Sequence, residues 1–171
     1  DVDSLIKSGI DVCIMEKVQD KGERVSSTMT RILLAKGDLD RASNILGRPY
    51  SISGKVVHGD KRGREIGFPT ANIHMFHNRP PLKGVFAVKL NGIAGVANLG
   101  VRPTIAGVSK LHLEVHLFDF SADLYGKHAK VIFLQKVRDE KKFKDIEALK
   151  DQIKIDIKKA KFFLEDYDRR K

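Results

Sequence analysis

Residues 84–97, GVFAVKLNGIAGVA, are two apolar runs of strand character joined by Asn91-Gly92. Both central residues of a type I′ turn need positive φ, and Asn-Gly meets that demand best, so 84–90 and 93–97 are expected to be antiparallel neighbours. Working outward, 52–57, 111–117 and 129–137 carry the same period-two signal. The short strands leave no room for helical crossovers between them, which favours a closed or nearly closed antiparallel barrel over a parallel sheet. The domain is mainly β.

Downstream the period changes. Phe143, Ile146, Leu149, Ile153, Ile157, Ala160 and Leu164 recur at three- and four-residue steps over about six turns, which reads as one amphipathic helix. Its apolar stripe is expected to pack against the barrel and close one end of it, a structural role favoured over a partner-binding one. Upstream, Ser26, Ser27 and Thr28 supply hydroxyl caps to a helix through Ile32 and Ala35, and Gly37-Asp38 opens a second short helix ending at Gly47. Before them lie a helical piece ahead of Gly9, an apolar stretch at 11–15 and a polar loop at 19–24. Arg48-Pro49 ends the helical pattern, and the expected domain boundary falls there, dividing 1–47 from 48–171.

Composition narrows the class. The 171 residues are 42% hydrophobic, too rich for a disordered chain, and the longest apolar-looking run, 93–101, is Gly-interrupted and short of the ~20 residues a spanning helix needs. The single Cys13 makes no internal disulfide, and no apolar signal peptide opens the chain, so a reducing cytoplasm is the expected compartment. A start at Asp1 rather than Met suggests a piece of a longer protein. Charge divides the chain at the same place as the period: 7 basic against 8 acidic residues over 1–47, but 25 against 14 over 48–171, a surplus of +11. Such a surplus fits an anionic partner: nucleic acid, a phospholipid surface or a phosphorylated small molecule. Charge alone does not choose among them, and a solubilising lysine surface is the plainer explanation of any one basic run.

Three stretches bear on chemistry. In 111–117, LHLEVHL, apolar residues alternate strictly with His112, Glu114 and His116, so one strand face is core and the other carries ionisable groups about 7 Å apart in sequence. Glu114 is then a candidate proton acceptor, His112 and His116 are candidate metal ligands, or the face is simply solvated. In 58–66, Lys61, Arg62 and Arg64 are interleaved with Gly59 and Gly63, bare backbone with positive charge, which suits a phosphate; the alternative is a mobile basic hairpin tip. No Walker A spacing is present. Directly after this loop, Thr70 and Asn72 offer two neutral hard oxygens on a Pro-restrained extended segment, a set that suits Mg²⁺ beside substrate phosphates.

With these residues in view, the chain resembles the riboflavin kinase module at the C-terminus of bacterial bifunctional riboflavin kinase/FAD synthetases. The resemblance is carried by LGRPYSISGKVVHGDKRGREIGFPTAN (46–72), GVANLGVRPT (95–104), LEVHLFDFSADLYG (113–126) and VRDEKKF (137–143). It implies a six-stranded antiparallel Greek-key barrel with a long C-terminal helix, one strand more than the periodicity shows. It also implies transfer of the ATP γ-phosphoryl group to the 5′-hydroxyl of riboflavin, giving FMN and ADP. By the same resemblance, Glu114 is the catalytic base and Thr70 and Asn72 bind Mg²⁺ with the nucleotide phosphates. The loop containing Gly59, Lys61, Arg62 and Arg64 folds over ATP, and Arg138 serves the flavin side.

Residues 1–47 resemble the tail of an FMN adenylyltransferase domain, an α/β remnant in which VSSTMTR (25–31) departs from the family pattern at Met29 and Thr30. The H-x-G-H nucleotide signature of such domains is absent, so kinase activity alone is expected of this chain, with a parent that also makes FAD. The competing expectation is a non-catalytic basic barrel that binds flavin or nucleic acid. Against nucleic acid, Phe68, Phe76, Phe86, Phe118 and Phe120 do not recur on one strand face with interleaved basic residues as a stacking platform requires. The expected partners are therefore riboflavin and ATP, without nucleic acid or membrane.

Overall fold

The computed structural model of the chain describes every residue except 15, 17, 21, 76–79, 103–109 and 171. Its elements in chain order are α1 (Val2–Lys7), β1 (Gln19–Asp20), β2 (Glu23–Arg24), α2 (Ser27–Lys36), α3 (Leu39–Leu46), β3 (Ser51–Val57), α4 (Arg62–Glu65), β4 (Ala71–Met75), β5 (Gly84–Leu90), β6 (Ile93–Arg102), β7 (Lys110–Leu117), β8 (His128–Arg138) and α5 (Ile146–Arg169). Phe76, Met15 and the Pro103-Thr104 end of the second resemblance block lie outside the described residues.

Asn91 and Gly92 take φ of 49° and 90°, and Leu90 pairs with Ile93, so the hairpin forms where its dipeptide predicts. From it the sheet grows into a closed antiparallel barrel of order β3-β4-β7-β6-β5-β8, with β3 pairing β8 to complete the ring. Consecutive strands β5, β6 and β7 are neighbours, and β8 returns to lie beside β5, the Greek-key arrangement. The sixth strand is β4. Periodicity misses it because five residues behind Pro69 give little local signal, and its pairing comes from distant strands, Val57 opposite Asn72 and Glu114 opposite Asn72. Two further expectations are corrected locally. The polar 19–24 stretch pairs as β1 with β2, and part of the basic loop winds into α4.

A six-stranded ring is narrow enough for side chains to fill. Phe86, Val88, Leu99, Leu113, Val115 and Phe133 are buried in the core, with Phe86 and Phe133 edge to face at 5.4 Å and 84°. Strand β5 is buried on both faces, because alternate residues Val85 and Ala87, with Val96 of β6, form a second cluster with Ala160 and Leu164 of α5. Helix α5 therefore lies along the outside of the barrel wall. It does not plug an end, contrary to the expectation from its stripe, and the unbroken apolar run of β5 follows from this double burial.

The helical hairpin in front of the barrel forms as its caps predict. Ser26 Oγ accepts from the Met29 N–H at 3.1 Å, Asp38 Oδ1 from the Arg41 N–H at 3.2 Å, and Gly37 and Gly47 end α2 and α3 in the left-handed region. Its Leu33, Leu34, Leu39 and Ala42 join the same apolar cluster as the barrel interior. Packing is thus continuous across residue 47, although charge and period change there. The Tyr50 phenol, at that junction and 6.1 Å from the Phe133 ring, is pushed above its usual pKa by burial, an effect opposed in part by Arg48.

Candidate active site

Because Leu113 and Val115 of β7 point into the core, Glu114 between them points out of the barrel. Register then sets its neighbours: Asn72 of β4 lies opposite it on one side and Asn98 of β6 on the other. A carboxylate flanked by two amides across three strands is a fixed polar row on the outer wall, half-buried at Glu114 and Asn72. Thr70 is two residues before Asn72.

Two cavities meet beside this row, at Thr70 and His116. The first, about 560 Å³, is lined by Thr70, Asn98, Glu114 and His116 on the barrel side, by Phe68 and α4, and by an apolar wall of Phe143, Ile146, Leu149 and Ile153. The second, about 660 Å³, lies across Thr70 and His116 and is bounded by Arg64, Phe120, Leu124 and Tyr125. Both are within the size range of small-molecule sites. Thr70 and His116 belong to both walls, so they mark the passage between the cavities.

The glycine-rich loop folds down onto the row. A Cβ on Gly59 would overlap the Asn72 amide, and one on Gly63 would come within 2.5 Å of the Phe68 carbonyl and 3.4 Å of Thr70 Oγ1. Gly63 is required by the Phe68 carbonyl, and Gly59 lets the loop lie directly on the Asn72 amide. At the loop's start the His58 ring lies 3.8 Å from that of Tyr125, centroid to centroid, tying it to the second cavity. Since the atoms facing Gly59 are the end of a side chain, Gly59→Ala is expected to displace the Asn72 amide rather than the fold. The variant should melt close to wild type yet lose about 10²-fold in turnover, the scale of a 1 Å misplacement; turnover within threefold of wild type would contradict this close-packed role.

The residues singled out from sequence divide among these features. Thr70, Glu114, Arg62 and Arg138 line the first cavity, Thr70 and Arg64 the second, and Asn72 lies beneath Gly59 without lining either. Lys61 is an exposed residue with φ of 58° at the start of α4. Arg138 is engaged through each of its three guanidinium nitrogens: Nε donates to both Asp156 oxygens at 3.0 Å, Nη2 to Oδ2 at 2.8 Å and Nη1 to the Asp139 carbonyl at 2.8 Å. Asp156, on α5 and 3% exposed, also accepts from Gln152 Nε2 at 2.8 Å. Arg138 thus clamps α5 to the end of β8, and its guanidinium stands 5.7 Å from the centre of the Phe143 ring.

Asn98 was not singled out from sequence, although its outward place in the 93–102 strand marks it. The apolar wall from 143 to 153 was read only as a packing stripe. Among the described residues no group of three or more His, Cys, Asp or Glu converges as a metal cluster, so the reading of His112 and His116 as ligands has no geometric support. His116 instead holds backbone, its Nδ1 2.8 Å from the Pro69 carbonyl oxygen.

The comparisons with known proteins agree with this arrangement. The family model for riboflavin kinase, Flavokinase, matches residues 46–164. Bifunctional riboflavin kinase/FMN adenylyltransferases are similar: 46% identity over 160 residues for that of Pseudomonas fluorescens, covering 91% of this chain and 51% of the relative, and 51% over 146 residues for that of Haemophilus influenzae, covering 82% and 47%. The chain spans about half the length of these curated relatives. Among solved structures, riboflavin kinase from Trypanosoma brucei aligns with a TM-score of 0.52 at 26% identity, over 68% of this chain and 80% of that one. A Streptococcus pneumoniae protein described as a macrolide-efflux protein aligns with a TM-score of 0.74 at 35% identity, over 88% and 52%. Among the described residues of this chain, no helix is long and apolar enough to cross a membrane. With the family model covering the residues of both cavities and of the polar row, the chain belongs to the riboflavin kinase family.

Proposed function

We propose that this chain transfers the γ-phosphoryl group of ATP to the 5′-hydroxyl of riboflavin, releasing FMN and ADP. The observation that carries the reading is that Glu114 and Asn98 of the polar row line the first cavity, whose wall at Thr70 and His116 is shared with a second cavity of different character. The first cavity offers an apolar wall for a flat tricyclic ring and ends at Glu114. The second offers Phe120, Leu124 and Tyr125 to a nucleotide base and Arg64 to its phosphates.

Phosphoryl transfer depends on in-line placement and neutralised charge more than on covalent chemistry. Glu114 accepts the proton of the ribityl hydroxyl as its oxygen bonds to the γ-phosphorus and the bond to the β–γ bridging oxygen breaks. Arg62 and Arg64, one on each cavity, offset the phosphate charge, and the apolar wall keeps water from replacing the vitamin as acceptor. Arg138 acts on the flavin side by holding α5 and Phe143 in place. For Mg²⁺, the Thr70 hydroxyl and Asn72 amide oxygen would be the fitting donors: both are hard, neutral oxygens beneath the glycine-rich loop, and a Cβ on Gly59 would overlap the Asn72 amide. A cation held by Thr70 and Asn72 would supply neutralisation of the charge on the transferred phosphate. Gly59 and Lys61 complete the loop over the nucleotide.

We further assign 1–47 to the end of an FMN adenylyltransferase-like domain, with a cytoplasmic parent that also makes FAD. Riboflavin and ATP are the partners of this chain, and adenylyl transfer is not expected of it.

The test is to incubate the chain with riboflavin, ATP and Mg²⁺ and follow FMN chromatographically, with Thr70→Ala beside it. Wild type is expected to form FMN, and the variant to need about tenfold more Mg²⁺ for half-maximal rate, the scale of losing one metal-site contact. An unchanged Mg²⁺ requirement would remove Thr70 from the site. Riboflavin binding without FMN formation would replace the kinase reading by that of a flavin-binding barrel.

A further inference from the structure

We propose that His116 is a positioning residue for the metal–nucleotide site, acting through the Pro69–Thr70 peptide rather than by touching phosphate. The inference rests on the role assigned above to Thr70 and deepens it. Pairing between β4 and β7 runs from Ile73 opposite Leu113 to Ala71 opposite Val115, and the next position would set Thr70 against His116. There the side chain takes over: His116 Nδ1 lies 2.8 Å from the carbonyl oxygen of Pro69. That carbonyl belongs to the peptide plane ending at the Thr70 nitrogen, so the bond sets the orientation of Thr70. Pro69 has no N–H, and the Phe68 N–H before it donates to Gly63 O at 2.7 Å, so on this stretch it is the Pro69 carbonyl that meets the histidine.

The ring itself is held. Phe68 meets it at 5.9 Å and 80°, and Phe118 at 6.1 Å and 65°, both edge to face. Phe118 is buried and packs with the α5 cluster, so the imidazole is braced between the nucleotide loop and the helix-backed wall. A carbonyl only accepts, so Nδ1 must carry a proton whenever this bond is made. In the neutral ring Nε2 is then the bare nitrogen. Nδ1 holds the Pro69–Thr70 peptide, and any direct service to phosphate would have to come from Nε2.

Amide isosteres separate these roles, since the nitrogen of Asn falls near the place of Nδ1 and that of Gln near Nε2. His116→Asn, His116→Gln and His116→Ala are compared in the riboflavin, ATP and Mg²⁺ assay, alongside Thr70→Ala and with thermal melts of each. The expected pattern is half-saturating Mg²⁺ raised about tenfold in the Ala and Gln variants and within about threefold of wild type in the Asn variant, with the riboflavin KM moved less than the Mg²⁺ requirement in all three. Rescue by Gln and not by Asn, or no shift in Ala while Thr70→Ala shifts, overturns the inference and leaves the kinase reading intact. No shift in Thr70→Ala instead removes the reading on which the inference depends. Independently of how the variants fold, nitrogen-15 NMR of the wild-type histidines should show His116 protonated at Nδ1 in its neutral form; protonation at Nε2 alone overturns the inference.

Discussion

Replacing Glu114 with Gln is expected to lower the rate of FMN formation by about 10²–10⁴-fold, the range over which a positioned general base contributes. The substitution keeps the size of the side chain and its place on β7 between the core residues Leu113 and Val115, so the barrel has no reason to repack. What it removes is the ability to take the ribityl proton. The loss should fall on kcat, with KM for riboflavin and ATP within a fewfold of wild type, because the apolar wall and the loop proposed to bind the substrates are untouched. Rapid-quench turnover and equilibrium riboflavin binding on the same preparation check both parts. A variant that turns over within about threefold of wild type would exclude Glu114 as the base.

Asp156→Ala is expected to destabilise the fold by about 3–5 kcal/mol, the cost of leaving one member of a buried ion pair uncompensated. Arg138 donates to this carboxylate three times, and at 4% side-chain exposure for Asp156 and 19% for Arg138, water cannot replace the lost partner well. At about 2–4 °C per kcal/mol for a chain of this size, the melting temperature should fall by roughly 6–20 °C. The same change frees α5 from the end of β8, so the wall of Phe143, Leu149 and Ile153 loosens and riboflavin binding should weaken beyond what the fraction folded explains. Urea unfolding gives the first quantity, and riboflavin titration well below the transition gives the second. A loss below about 1 kcal/mol would mean that the pair behaves as an exposed one and does not anchor the helix.

What could be read in the sequence was whatever is written locally. Asn91-Gly92 specifies a hairpin through the conformations of two residues, and the alternation of 111–117 places Glu114 outside the barrel without knowledge of any other strand. Strand β4 is the opposite case: Ala71–Met75 is defined by its partners in β3 and, 40 residues away, β7, so local pattern gives no strand there and only the register aligns Asn72 with Glu114. Helix α5 was legible as a helix, but not the surface it covers, because that depends on β5 presenting Val85 and Ala87 outward opposite the buried Phe86 and Val88. Within the site, Glu114, Thr70 and Asn72 were legible as chemical types. Asp156 was not, since a carboxylate among Lys154, Ile155 and Ile157 looks like any solvated helix residue until Arg138 reaches it. His116 was legible as an ionisable group on the right face, yet its bond to Pro69 depends on a turn that no local pattern encodes.

The central claim is that Glu114 faces the acceptor hydroxyl while Thr70 and Asn72 face the metal-bound phosphates. The most direct measurement is a crystal structure of the chain with riboflavin, Mg²⁺ and ADP bound. The 5′-hydroxyl is predicted to lie within hydrogen-bonding reach of the Glu114 carboxylate, about 2.6–3.2 Å, with the cation on the oxygens of Thr70 and Asn72 and the flavin ring against Phe143 and Leu149. A flavin whose ribityl end points away from Glu114, or a cation held without Thr70 and Asn72, would contradict the account.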